Sequence, residues 1–198
     1  MQDSPTTRPS LLLRLRDTQD ALAWCDFVQI YSPLIHRFGL RHGLQDADAA
    51  DVTQEVLRCV AEAIGHWEYD PRAGKFRSWL FTITRNQLLN SLQRRRRQPR
   101  ATGDSAMQGV LDNLPASADE AESFWDEEYE RQLFRWAAEQ VRMQFSDLHW
   151  QAFWRTAVEE ENAAQVAAAL QLSVGAVYVA KSRVLALLRE KIQELGER

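Results

Sequence analysis

The sequence predicts an all-α protein made of two small helical domains joined by a flexible acidic linker. Three observations carry this. Apolar residues recur three or four apart through most of the chain, as on one face of a helix. No stretch alternates apolar and polar residues with the β-branched enrichment of a strand. Near the middle, Pro99, Gly103, Gly109 and Pro115 stand among Ser, Asp and Asn, the composition of a linker. The 198 residues, 45% hydrophobic and 26% charged, are ordinary globular usage and suffice for one domain or two small ones.

Residues 1–16 read as an N-terminal extension. The run Leu11-Leu12-Leu13 is closed by Arg14, far short of the roughly 18 residues of a membrane span, and the start lacks the pattern of a signal peptide. Asp17 to Asp20 offer N-caps for a helix carrying Ala21, Leu22, Trp24, Phe27, Val28 and Ile30. Ser32-Pro33 reads as the cap and first position of a second helix, ending near Gly43. Asp46 or Asp48 caps the next, which runs through Val52, Val56, Leu57, Val60 and Ile64 to a stop at Gly65. A loop with Asp70-Pro71 and Gly74 follows. Phe76 to about Arg97 has no Gly or Pro and completes a four-helix unit, 17–98.

Beyond the linker, 99–119, a unit of residues 120–198 opens with a helix to Arg142. Ser146 caps a second helix with Trp150, Phe153 and Trp154. Ala163–Leu170, the turn Gln171-Leu172-Ser173, and Val174 to about Leu195 close the chain.

The net charge is −4, which by itself argues against a polyanionic partner. The charge is segregated, however. Arg72 to Arg100 holds nine basic residues and no acid, whereas Ala101 to Glu130 holds nine acids and no base. Such asymmetry marks a polyanion-binding patch beside an acidic segment.

Signs of catalysis are nearly absent. His36, His42, His66 and His149 are scattered, none at a metal-ligand spacing, and no glycine loop cradles phosphate. Cys25 and Cys59 are too few for a disulfide scaffold or a Cys-rich zinc site, so a reduced cytoplasm is the expected compartment. We therefore expect no enzyme, no cofactor, no metal and no membrane.

Three patterns carry binding chemistry. The first is QVAAALQLSVGAV, residues 165–177. Ala167 and Leu170 share one face of a short helix, Leu172 fills the corner, Ser173 caps the next helix, and Val177, Ala180, Val184 and Leu188 make its buried stripe. This is the skeleton of a helix-turn-helix, whose second helix enters the major groove. It would expose Gly175, Ala176, Tyr178, Val179, Lys181, Ser182 and Arg183. The plainer alternative is an antiparallel helix pair. The turn has Gln171 where glycine is usual, which costs about 1 kcal/mol in a left-handed conformation.

The second pattern interleaves Trp67, Tyr69, Phe76, Trp79 and Phe81 with Arg72, Lys75, Arg77 and Arg85, then Asn86 and Arg94, Arg95, Arg96 and Arg97. Aromatic rings stack on unpaired bases while Arg and Lys hold phosphates. The competing reading makes Trp79, Leu80 and Ile83 core and the arginine run a solvated helix end. The third pattern is the polar face Asp48, Asp51, Gln54, Glu55 and Arg58, which alone is an amphipathic surface.

Their order gives them meaning. ADAADVTQEVLRCVAEAI, then FRSWLFTITRNQLLNSLQRRRR, then a linker, then QVAAALQLSVGAVYVAKSRVLALLREKI resembles the bacterial sigma factors of the extracytoplasmic-function (ECF) type, over roughly Asp17 to Glu190. The resemblance implies a sigma-2-like and a sigma-4-like domain and a protein that takes core RNA polymerase to promoters. By position, Asp48, Asp51, Gln54 and Glu55 would dock on the polymerase beta-prime clamp. Trp67, Tyr69, Lys75, Arg77, Trp79, Arg85, Asn86, Arg94, Arg95 and Arg96 would contact the melted minus-ten element. Ser173, Gly175, Ala176, Tyr178, Val179, Lys181, Ser182 and Arg183 would read the minus-thirty-five element, with the beta flap and an anti-sigma factor as further partners and a monomer when free. The linker would thread the RNA exit channel. Two features depart from the family pattern: an unusually aromatic loop at Trp67 and Tyr69, and a recognition helix poor in base at its start. The alternative is a helix-turn-helix regulator that works on duplex DNA without polymerase.

Overall fold

The computed structural model describes residues 11–66, 76–97 and 118–195, the last three residues of the second segment and the first two of the third by backbone alone. Among the described residues there are eight helices and no strand: α1 Leu11–Arg14, α2 Ala21–Arg41, α3 Asp46–Ala63, α4 Phe76–Arg97, α5 Ala118–Arg142, α6 Asp147–Ala157, α7 Ala163–Leu170 and α8 Val174–Glu194. The all-α expectation holds. The expected loop and most of the linker lie outside the described residues.

Two helices predicted separately prove to be one. α2 runs through Pro33 without a break. Proline inside a helix costs about 3 kcal/mol through its missing N–H and its clash with the preceding turn. Phe27, Ile30, Tyr31, Leu34, Ile35 and Phe38 are all buried along the same helix. Each contributes about 1.5–3 kcal/mol on full burial, so packing outweighs the proline. Asp20 caps α2, its side chain accepting from the Ala23 N–H at 2.9 Å. The N-cap of α3 is Gln45, with no side-chain cap bond. Asp46 and Asp48 therefore act not as caps but as first-turn acids, favourable beside the positive end of the helix dipole.

The chain divides into two compact units, one of Leu12–Gln132 and one of Leu133 onward together with Leu11. The expected division lay in the linker, with the helix after it wholly in the second domain. It falls instead inside α5. In the first unit α2 packs on α3 and α3 on α4. α2 and α3 approach closely at Gly39, where a Cβ would lie 3.2 Å from that of Ala49.

The first half of α5 completes this core. Ala121, Trp125, Glu128, Tyr129 and Gln132 are buried, three or four residues apart. Trp125 meets Phe38 edge-on at 5.5 Å and lies 5.6 Å from Phe81, and Tyr129 stacks on Tyr31 at 5.7 Å. Of its acids, Glu120, Glu122, Asp126, Glu127 and Glu130 are exposed, but Glu128 is 1% exposed, takes a hydrogen bond from Arg37 Nη1 at 3.0 Å, and is also bonded by Arg131 and Gln132.

His42, just past α2, is buried, with its ring Nδ1 2.7 Å from the Phe38 carbonyl, to which it donates as a neutral imidazole. Burial, helped by the charge of Arg41, holds its pKa below the usual 6.5. The unfolded chain thus binds the proton first as pH falls, and the stability tied to neutral His42 is present above about pH 6.5 and lost below it. Urea unfolding should give a lower midpoint at pH 5.5 than at pH 7.5, and His42→Gln should remove part of that difference. An equal difference in the variant would clear His42 of the effect.

In the second unit α8 packs on α6 and α7. Its core includes Ala152, Val166, Ala167, Val177 and Ala180, with Leu170 and Leu172 packed against it. Ser146 caps α6 as expected, and the N–H of Leu11 donates to the Leu195 carbonyl at 3.0 Å.

Candidate nucleic-acid interface

The face of α3 forms a groove with α4. Asp48, Asp51, Gln54 and Glu55 line it from one side, Gln87, Ser91 and Arg94 from the other, enclosing about 330 Å³ over Val52. The carboxylates of one helix face a guanidinium of the next. Glu55 accepts from Arg58 Nη2 at 2.8 Å, and this bond, with Arg58's charge and that of Arg94, holds its carboxyl below the usual range. Arg58 also bridges to Glu62 at 2.6 Å, and both bonds hold it firmly protonated. Gln87 and Ser91 escaped the sequence reading because only the packing of α3 on α4 places them here.

Along α4, Arg85, Asn86 and Arg94 are exposed. Trp79 is half-buried, its ring 5.3 Å from that of Phe76. Phe76 in turn meets Phe27 and Tyr31. Trp79 is therefore as much an edge of the core as a platform for a base. Arg77 is not an open cation either: it donates to Asp126 at 3.3 Å and lies over the Tyr129 ring at 4.7 Å. Trp67, Tyr69 and Lys75, and the side chains of Arg95 and Arg96, lie outside the described residues.

In the second unit α7 and α8 meet at 104°, within the range of helix-turn-helix pairs. Ser173 caps α8, its hydroxyl accepting from the Ala176 N–H at 3.1 Å. Gln171 has φ 56° and ψ 39°, the left-handed conformation expected of the turn despite its side chain. The N–H of Leu172 donates to the Ala167 carbonyl at 2.9 Å, which holds the corner. Val177, Ala180, Val184 and Leu188 are buried as the stripe required.

Opposite that stripe, Gly175, Ser182 and Arg183 are exposed, Ala176 partly so, and Tyr178 and Val179 are 59% and 57% exposed. Apolar groups there suit thymine methyls, and Arg183 suits guanine acceptors or phosphate. Arg183 also lines a cleft of about 350 Å³ with Ser146 and His149 of the α6 N-terminus. Lys181 differs from expectation. Its Nζ donates to the Thr156 carbonyl at 3.1 Å, in the last turn of α6, where a cation is favoured by unpaired carbonyls. It ties α8 to α6 instead of standing free toward a ligand.

Comparison with known proteins fits this arrangement. Residues 27–98 match the family Sigma-70 region 2. This stretch is similar in sequence to a sigma-70 region 2. Over 94 residues the chain is also 29% identical to the ECF RNA polymerase sigma factor RpoE of Cereibacter sphaeroides, covering 46% of this chain and 48% of that protein. The chain thus spans about half the length of the curated relative it matches. The resemblance to ECF sigma factors holds. The matched stretch comprises most of α2, all of α3 and all of α4, and so includes both the groove and the α4 basic residues. Among the described residues no three of His, Cys, Asp and Glu are grouped to hold a metal, and no single helix is long and apolar enough to cross a membrane.

Proposed function

We propose that the protein is a non-catalytic transcription initiation factor of the bacterial cytoplasm, which binds core RNA polymerase and directs it to promoters. The observation that carries this reading is the order of parts on one chain: a sigma-70 region 2 with an acidic groove face, then a separate unit with helix-turn-helix geometry. The polymerase beta-prime clamp docks on Asp48, Asp51, Gln54 and Glu55, carboxylates that suit a basic surface. Trp67, Tyr69, Lys75, Arg77, Trp79, Arg85, Asn86, Arg94, Arg95 and Arg96 serve the melted minus-ten element. Ser173, Gly175, Ala176, Tyr178, Val179, Ser182 and Arg183 face the minus-thirty-five element, with Lys181 bracing their helix. The beta flap and an anti-sigma factor are further partners, and the free protein is a monomer.

Run-off transcription from a promoter library with core polymerase tests this. Transcripts that start at defined sites and depend on the protein are the expected result. A gel shift on the selected duplexes should be weak without polymerase. Tight, sequence-specific duplex binding with no effect on polymerase would make the protein a stand-alone regulator.

A further inference from the structure

Three arginines of the first unit are engaged by a short stretch of α5. Arg41 lies over the Phe124 ring at 4.4 Å, Arg37 bonds the buried Glu128 at 3.0 Å, and Arg77 has both Asp126 at 3.3 Å and the Tyr129 ring at 4.7 Å. A carboxylate and an aromatic face presented together to one guanidinium are the two features that a nucleotide of a single strand offers, as phosphate and base. We infer that the first half of α5 is an internal competitor for single-stranded nucleic acid, holding Arg77 with the chemistry of the ligand itself.

The contacts are of two kinds, and their burial separates them. Glu128 and Trp125 are buried and fix the helix in place. Asp126 is half exposed, and the side chain of Arg77 keeps 26% of its surface in solvent. An ion pair in that setting is weak and exchangeable. Arg77 can therefore trade Asp126 for a phosphate while α5 stays docked. A strand must compete with a carboxylate already in place, so binding is weakened until the strand is held from elsewhere, as by polymerase in an open promoter. The inference rests on the sigma-factor reading only for that last step.

The test uses the full chain without polymerase and a fluorescent single-stranded oligodeoxynucleotide, with anisotropy read across a salt series. Asp126→Ala should tighten binding about fivefold, the weight of one exposed ion pair. It should also steepen the salt slope by about 0.7, the value for one added phosphate contact to a single strand. Both changes should vanish in an Arg77→Ala background, and Glu127→Ala, which removes the same charge one residue on, should have a smaller effect. Equal tightening by Glu127→Ala, persistence of the effect without Arg77, or no effect of Asp126→Ala would each overturn the inference. Undetectable oligonucleotide binding by every variant at low salt would do so too. Run-off transcription by the wild-type protein is scored separately, so the sigma-factor reading can fail while this result stands, and the reverse.

Discussion

Trp125→Ala is expected to remove about 3–5 kcal/mol from the stability of the Leu12–Gln132 unit, the usual range for truncating a buried tryptophan. That is a large fraction of the roughly 5–15 kcal/mol that a typical domain has in total. The ring is 1% exposed and wedged against Phe38 and Phe81, so alanine leaves a cavity in the middle of the aromatic cluster. Trp125→Phe should behave differently. The indole Nε1 is buried with no hydrogen-bond partner among the described residues. An unsatisfied buried donor costs about 1–3 kcal/mol, so phenylalanine loses some packing but relieves that penalty. Urea unfolding should show a large fall in midpoint for the alanine variant and a small change for phenylalanine. An unchanged midpoint for Trp125→Ala would mean that α5 is not part of this core.

Asp51→Arg should abolish capture of core polymerase while leaving the fold unchanged. Asp51 is exposed, and surface substitutions usually shift stability by only about 0.5 kcal/mol. A like-charge contact in an interface costs several kcal/mol, which at about 1.4 kcal/mol per decade is a loss of over about 100-fold in affinity. The structure makes Asp51 the better probe than Glu55, since reversing Glu55 would also break its bond to Arg58. Pull-down of core polymerase, with circular dichroism to check the fold, decides the matter. Wild-type recovery would place the clamp contact on another face.

Much of this protein was legible residue by residue. Apolar spacing, caps and Gly or Pro stops located α3, α6, α7 and α8 closely, and a long run without Gly or Pro located α4, because these are local properties. The helix-turn-helix corner was readable even at Gln171, whose left-handed conformation follows from the need to turn between two short apolar helices. The polar side of α3 was legible too, and it is exposed on a groove.

What the sequence alone determined, then, is which segments are helical, which face of each is apolar, and an order of motifs that resembles that of sigma factors. Tertiary structure decided which apolar faces meet. An amphipathic helix states that it has a partner and not which one, so the first half of α5 reads as the start of the second domain yet packs on the first. The same limit hid the use of Glu128, Arg77 and Lys181. A charged residue looks solvated or ligand-ready in sequence, and only the approach of a second helix supplies the Arg37 guanidinium, the Asp126 carboxylate or the Thr156 carbonyl that engages it. Pro33 shows the same balance: local propensity called for a break, and six buried side chains on one continuous helix outweighed it.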